Sequence, residues 1–117
     1  SVPAGMPQSI QDVTANTVAI DRYLIDEPSR TLLIPVSGDS MVGAGLFSGD
    51  TAIVKRGAPT QAGDIVLARI DGEYTFKYLA KDKQGFYLKP GNQAYSDIRP
   101  REELEIFGRV SGSLRKY

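Results

Sequence analysis

The sequence predicts a single, mostly-β domain. Short apolar runs recur along the chain, turn-forming Gly, Pro and Asp residues separate them, and only one brief segment has a helical pattern. A chain of 117 residues fits one domain and buries enough surface for a core without disulfides or a metal. We therefore expect several short antiparallel strands with one short helix.

An N-terminal arm precedes the predicted domain. Residues 1–16 contain two prolines, a glycine and several polar residues without a sustained period, so they are predicted as an extended arm, and residues 17–117 as the folded domain. The predicted elements in order are a short strand at 18–20, a helix over 22–27 that Asp21 caps and Pro28 ends, and strands over 30–36, 51–54, 64–70, 73–79, 86–89 and 104–110. Asp71-Gly72 predicts a two-residue hairpin turn, and a Gly/Ser tail is expected after residue 110.

The composition excludes several kinds of chemistry. The chain has no cysteine and no histidine, which rules out a thiol nucleophile, a Ser-His-Asp triad and nearly all catalytic zinc sites. Its 14 basic and 14 acidic residues balance and neither sign forms a block, so strong direct binding to nucleic acid is not expected. No apolar run approaches the roughly 20 residues that span a bilayer, and the arm has no export signal. We expect a cytoplasmic protein that uses no metal and no other cofactor.

One turn carries the first candidate for chemistry. The apolar run at 32–36 reads as a strand that ends on Gly38 and delivers Ser40 onto a turn, ahead of the Gly-rich stretch 43–45. The backbone N–H groups around such a serine could hold an anion, such as the oxygen of a tetrahedral intermediate. Gly-Asp-Ser is also a common turn sequence, so this stretch alone predicts only a turn.

Lys77 is the second candidate. Strand alternation places it on one face with Thr75 and Leu79, and its flanking residues are apolar, so we expect the side chain to be at least partly buried. Burial would lower the pKa of the amine from about 10.4 toward neutral pH, although a lysine that extends its ammonium into solvent also fits the pattern. Because the chain has no histidine, Lys77, 37 residues after Ser40, is the candidate base for a serine nucleophile.

Several motifs then resemble one family in order along nearly the whole chain. They are Ser-Gly-Asp-Ser-Met at 37–41, Ser-Gly-Asp at 48–50, Gly-Asp-Ile-Val at 63–66, Gly-Glu-Tyr-Thr-Phe-Lys at 72–77, Leu-Lys-Pro-Gly-Asn-Gln-Ala-Tyr at 88–95 and Phe-Gly-Arg-Val at 107–110. Together they resemble the LexA/UmuD family of self-cleaving Ser-Lys proteins, and residues 15–28 and 92–98 resemble its UmuD branch. The resemblance implies the C-terminal domain fold of that family, built from strongly bent antiparallel strands.

The resemblance also implies roles for individual residues. Ser40 would be the nucleophile, and Lys77, neutral when active, the general base. The backbone N–H groups of Asp39 and Ser40 would be the oxyanion donors. The bond between Ala4 and Gly5, in the arm, would be the bond that the protein cuts.

Partners follow from the same resemblance. A RecA filament on single-stranded DNA would promote the cut as a coprotease. The processed chain would form a homodimer and join a UmuC-like subunit in an error-prone translesion DNA polymerase, in the SOS response to DNA damage. Residues 104–117 are expected to supply a dimer edge, and Met41 to anchor the turn in the core.

Three other interpretations stay open at this point. The chain could be the C-terminal dimerisation and self-cleavage domain of a LexA-like or phage-type repressor, with a DNA-binding helix-turn-helix upstream of Ser1. It could be an enzyme of the signal-peptidase kind, which also uses Ser-Lys chemistry, although no apolar membrane anchor is present in the sequence. It could also be a structural β module with a decayed site.

Overall fold

The computed structural model describes residues 4, 5, 9 and 17–117. A short helix, α1 (Ile20–Leu24), is followed by strands and two single turns of 3₁₀ helix, at Pro28–Arg30 and Val42–Ala44. The six strands are β1 (Thr31–Pro35), β2 (Thr51–Arg56), β3 (Ile65–Ile70), β4 (Glu73–Asp82), β5 (Gly85–Lys89) and β6 (Leu104–Leu114). The mostly-β prediction with one short helix is therefore confirmed.

All six strands form one antiparallel sheet. Their order is β1-β2-β6-β3-β4-β5, so the last strand of the chain lies between β2 and β3. Ser111 is the extra residue where β6 pairs with β2, and Phe107 the extra residue where it pairs with β3. Each bulge bends the strand and increases its twist. The expectation of bent antiparallel strands is met at the centre of the sheet.

One prediction about the C-terminus is wrong. β6 runs through the expected Gly/Ser tail to Leu114, because pairing with β2 gives these small residues a ladder to join. β6 pairs with β3 through residues 104–109 and with β2 through residues 108–114, and the outer strands of the sheet are β1 and β5. The dimer edge expected at residues 104–117 stays a prediction.

Smaller differences concern the first helix and β4. The helix begins at Ile20, where a strand was expected, and ends at Leu24 rather than at the residue before Pro28. Asp21 lies inside the first turn and does not cap the helix, whose N-cap residue is Ala19. β4 continues three residues beyond the predicted end at residue 79, because its second half pairs with β5.

The predicted hairpin turn joins β3 to β4. Asp71 and Gly72 both have positive φ angles, 47° and 89°, as a two-residue hairpin turn of this kind requires. The Asp71 carboxylate also accepts hydrogen bonds from the backbone N–H groups of residues 101–103, which lowers the pKa of that carboxyl. The turn that sets the register of β4 is thus also attached to the loop before β6.

Apolar side chains pack on both faces of β3. Leu67 belongs to one buried cluster, and Val66, Ala68 and Ile70 belong to another. Met41 lies in the first cluster with only 2% of its surface exposed, so its predicted place in the core is confirmed. The nucleophile turn predicted around Ser40 is therefore fixed to the core directly beneath it.

The predicted arm, residues 1–16, lies outside the described residues except for Ala4, Gly5 and Ser9, and its division from the domain stays a prediction. Within the part of the chain that the structure describes, no helix has the length and apolar character needed to cross a membrane.

Candidate active site

The turn that carries Ser40 begins where β1 ends. The Val36 backbone N–H donates to the Asp50 carbonyl at 2.8 Å, and the Val36 carbonyl accepts from the Gly49 N–H at 2.9 Å. Gly38 then adopts a φ of 79°, a left-handed conformation that favours glycine, and the chain leaves the line of the strand. Ser40 follows two residues later and is only partly buried.

β4 delivers Lys77 to the same place. Lys77 pairs with Val66 across the β3–β4 ladder, and only 6% of its surface is exposed. Its Nζ lies 2.9 Å from Ser40 Oγ, within hydrogen-bond distance. The structure thus brings together two side chains that are 37 positions apart in the sequence.

Burial lowers the pKa of the Lys77 amine. No carboxylate forms an ion pair with it among the described residues, so no opposite charge there offsets the cost of burying the ammonium. Besides Ser40, its Nζ donates to Thr75 Oγ1 at 2.6 Å and to the Phe76 carbonyl at 3.1 Å. The surroundings favour the neutral amine, which is the form that can accept a proton.

Thr75 was not singled out in the sequence as a functional residue. It lies two positions before Lys77 on the same face of β4, and its hydroxyl accepts a hydrogen bond from the Lys77 amine. Because side chains alternate along a strand, Thr75 and Lys77 lie on one face of β4. A hydroxyl two positions before a candidate base could therefore have predicted Thr75 as its hydrogen-bond partner.

The backbone amides beside Ser40 are free of internal partners. In the described part of the chain, the N–H groups of Asp39 and Ser40 donate no hydrogen bond, whereas the amides of residues 42–46 all do. Amides without partners at a turn are suited to binding an anion. The predicted oxyanion donors are therefore available, and their role stays a prediction.

A second loop packs against the nucleophile turn. We call residues 90–97, between β5 and the bridge at Ile98, the clamp loop. Its Gly91 carbonyl accepts from the Gly43 N–H at 2.6 Å, and its Gly91 N–H donates to Met41 Sδ at 3.1 Å. A Cβ atom on Gly43 would lie 2.5 Å from that carbonyl oxygen, so glycine is needed for this close backbone approach.

A cleft of about 160 Å³ opens next to Ser40. Its described lining consists of residues 35–38 and 40–41 on one side, and of Leu67 and residues 74–76 on the other. Only the second half of β4, residues 78–82, pairs with β5. Residues 73–77 of β4 therefore pair with β3 alone among the described strands. One wall of the cleft thus contains a strand edge with unpaired backbone groups.

The predicted cleavage site lies in the arm. Ala4 and Gly5 are both exposed, and the space around Gly5 is open, since a Cβ atom there would meet no atom within 4 Å. Neither residue is among the described residues that line the cleft. The structure therefore does not bring the predicted bond to Ser40.

Among the described residues, no group of three Asp or Glu side chains could hold a metal ion.

Comparisons with known proteins identify the family of the chain. A sequence model of the family described as Peptidase S24-like matches residues 1–111. Protein SamA of Salmonella typhimurium is 40% identical over 114 residues, which cover 97% of this chain and 80% of SamA. The LexA repressors of Alcanivorax borkumensis and Acetivibrio thermocellus are 39% and 42% identical over 115 residues, and the chain spans 56% and 54% of their lengths. The earlier resemblance is confirmed: the chain belongs to the Peptidase S24-like family, together with SamA and the LexA repressors.

Proposed function

We propose that this domain is a serine peptidase that cleaves its own N-terminal arm between Ala4 and Gly5. The observation that carries the proposal is the 2.9 Å distance between Lys77 Nζ and Ser40 Oγ, with a lysine that is buried and has no carboxylate partner in the described chain. The geometry supports a Ser-Lys pair, in which lysine takes the place that histidine has in other serine peptidases.

The reaction proceeds in two stages. Neutral Lys77 takes the proton of the Ser40 hydroxyl while Oγ attacks the carbonyl carbon of Ala4, and the oxygen anion that forms is held by the N–H groups of Asp39 and Ser40. Lys77 then gives the proton to the nitrogen of Gly5, and the bond between the two residues breaks. Water, deprotonated by Lys77, hydrolyses the ester on Ser40 and restores the starting state.

The cleft can accommodate the proposed bond. Its volume of about 160 Å³ leaves room for the side chain of Ala4. The unpaired edge of β4 at residues 73–77 can bind an extended arm through backbone hydrogen bonds. Because Gly5 has no side chain, the backbone after the bond can lie close to the nucleophile. Ala4 and Gly5, which are exposed in this structure, would have to dock there before cleavage.

The biological setting that we propose follows the SamA and UmuD branch. A RecA filament on single-stranded DNA stimulates docking of the arm, and the processed chain forms a homodimer that serves a UmuC-like translesion polymerase in SOS mutagenesis. The coverage of 80% of SamA favours this setting. The alternative is the C-terminal domain of a LexA-like repressor, and the fact that the chain spans about half of the LexA repressors favours it. The complete reading frame separates the two, because a repressor has a DNA-binding domain before the arm.

The test is the intact mass of the full natural protein, incubated at about pH 10 or with RecA, ATP and single-stranded DNA. We expect a new fragment that begins at Gly5. Lys77→Ala should give none, and Lys77→Met, which fills the buried space, controls for loss of packing. An unchanged mass of the wild-type protein under both conditions would refute self-cleavage, and a fragment with another N-terminus would refute the choice of bond.

A further inference from the structure

One loop holds the residue that precedes Ser40 at two points. Asn92 Nδ2 of the clamp loop donates to the Asp39 carbonyl at 2.8 Å. The Tyr95 hydroxyl of the same loop donates to Asp39 Oδ1. Both the main chain and the side chain of Asp39 are therefore attached to the loop.

The clamp loop is itself well fixed. At its base, Leu88 and Ile98 exchange two backbone hydrogen bonds of 2.9 and 2.8 Å, and Leu88 is fully buried. At its tip, Asn92 Oδ1 accepts from the Ala94 N–H at 2.9 Å, and the Asn92 carbonyl accepts from the Tyr95 N–H at 3.1 Å. A side chain that is held in this way can hold its partner in turn.

The contact with the Asp39 carbonyl has a direct consequence for Ser40. The C=O of Asp39 and the N–H of Ser40 belong to one peptide group, which is planar and trans. In such a group the two bonds point in opposite directions, so fixing the carbonyl on the loop side fixes the Ser40 N–H on the other side. The same hydrogen bond polarises the peptide and makes its N–H a stronger donor.

We propose that Asn92 and Tyr95 are positioning residues that aim the oxyanion-binding N–H of Ser40, which belongs to the Asp39–Ser40 peptide. The inference rests on the proposed function, since it names parts that serve that reaction. Asn92 orients the peptide plane through the carbonyl. Tyr95 fixes the Asp39 side chain by donating a hydrogen bond to its carboxylate. This hydrogen bond partly neutralises a negative charge that would otherwise repel the oxygen anion formed beside Ser40.

The hydrogen bond to the Asp39 carboxylate raises the pKa of the Tyr95 phenol, so the contact favours the protonated hydroxyl that donates to Asp39.

The experiment compares three variants of the full natural protein in self-cleavage. Tyr95→Phe removes only the hydroxyl. Asn92→Ala removes the donor to Asp39 without adding a charge. Gln93→Ala, in the same loop, is the matched control. We expect Asn92→Ala to cleave about ten-fold or more slowly, Tyr95→Phe several-fold more slowly, and Gln93→Ala at the wild-type rate.

The pH dependence of the self-cleavage rate distinguishes an effect on the Ser40 N–H from a disturbance of Lys77. If the two residues orient the Ser40 N–H, the maximum rate at alkaline pH falls and the apparent pKa of the rate profile stays at the wild-type value. A shift of that pKa would mean that the variants disturb Lys77, and would overturn the inference, as would wild-type rates in both variants. If the wild-type protein itself fails to cleave, the proposed function falls, and the inference with it. A parallel melting curve shows whether each variant folds.

Discussion

Ser40 and Lys77 reach the same point by different means. Lys77 lies in the middle of a strand, and the ladder with β3 fixes its backbone residue by residue. Ser40 lies on a turn outside any strand, and contacts from distant segments, the turn at 48–50 and the clamp loop, hold that turn in place. The base is thus set by secondary structure, whereas the nucleophile depends on tertiary contacts.

The two residues also differ in what surrounds them. Lys77 is buried and its pKa is lowered, so its environment changes its chemistry. Ser40 is only partly buried, and the backbone N–H groups of Asp39 and Ser40 donate to no partner among the described residues. A disturbance at Lys77 should therefore change the pH at which the protein reacts, and a disturbance around Ser40 should change the maximum rate.

The largest expected effect is at Ser40 itself. Ser40→Ala removes the attacking oxygen, so we expect self-cleavage to fall below detection while the melting temperature stays close to that of the wild type. Ser29→Ala is the matched control, since Ser29 is exposed and is not among the described residues that line the cleft. Intact mass spectrometry measures both. Cleavage by Ser40→Ala would exclude Ser40 as the nucleophile.

Lys77 should give the next largest effect. Lys77→Met removes the base and keeps the side-chain volume, and we expect the rate at alkaline pH to fall by about 10²–10⁴-fold. In the wild type the rate should rise with pH through a pKa below the ordinary value of 10.5 and then level off, because only the neutral amine accepts a proton. Single-turnover rates from pH 6 to 11 measure this profile, and a flat profile would contradict the role of Lys77.

A glycine pair tests how strongly the turn depends on the clamp loop. Gly43→Ala places a Cβ atom 2.5 Å from the Gly91 carbonyl oxygen, so the loop must move. We expect a loss of about 1–3 kcal/mol in the free energy of unfolding and a marked drop in cleavage rate. Gly112→Ala, whose Cβ would make an ordinary 3.5 Å contact with Ile53, should change neither quantity much. Urea unfolding and mass spectrometry read out the two effects, and equal behaviour of both variants would show that the turn does not need the loop.

The smallest expected effect concerns the link between the C-terminal tail and the turn at 48–50. Arg115 makes two hydrogen bonds, of 2.8 and 3.0 Å, to the buried Asp50 carboxylate and holds the pKa of that carboxyl at about 2, below 3.8. A lowered pKa stabilises the folded state above pH 3.8, and this contribution disappears as the pH falls through about 2.

The corresponding variant is Arg115→Ala. We expect it to be less stable than the wild type above about pH 4 and the difference to shrink on acidification to about pH 2, as measured by urea unfolding at each pH. A difference that stays constant over this range would mean that Arg115 acts through its packing on Phe47 rather than through the ion pair.

Local patterns in the sequence were sufficient for much of the fold and for the candidate pair. Alternating apolar residues and the Asp71-Gly72 turn predict the hairpin that carries Lys77, and an apolar run followed by glycine predicts the turn that presents Ser40. These signals are local, because strand alternation and turn conformations depend on neighbouring residues. The absence of histidine and cysteine then left lysine as the candidate base.

Contacts between distant segments decided the rest. The insertion of β6 between β2 and β3, the extension of β6 through residues 111–114, and the attachment of Asp39 to Asn92 and Tyr95 join parts that are far apart in the chain. The local pattern of apolar and polar residues does not encode such pairings, because they depend on which segments meet when the whole chain folds. The sequence by itself determined which residues could react, and the tertiary structure decided that Lys77 lies beside Ser40 and which loop holds the turn.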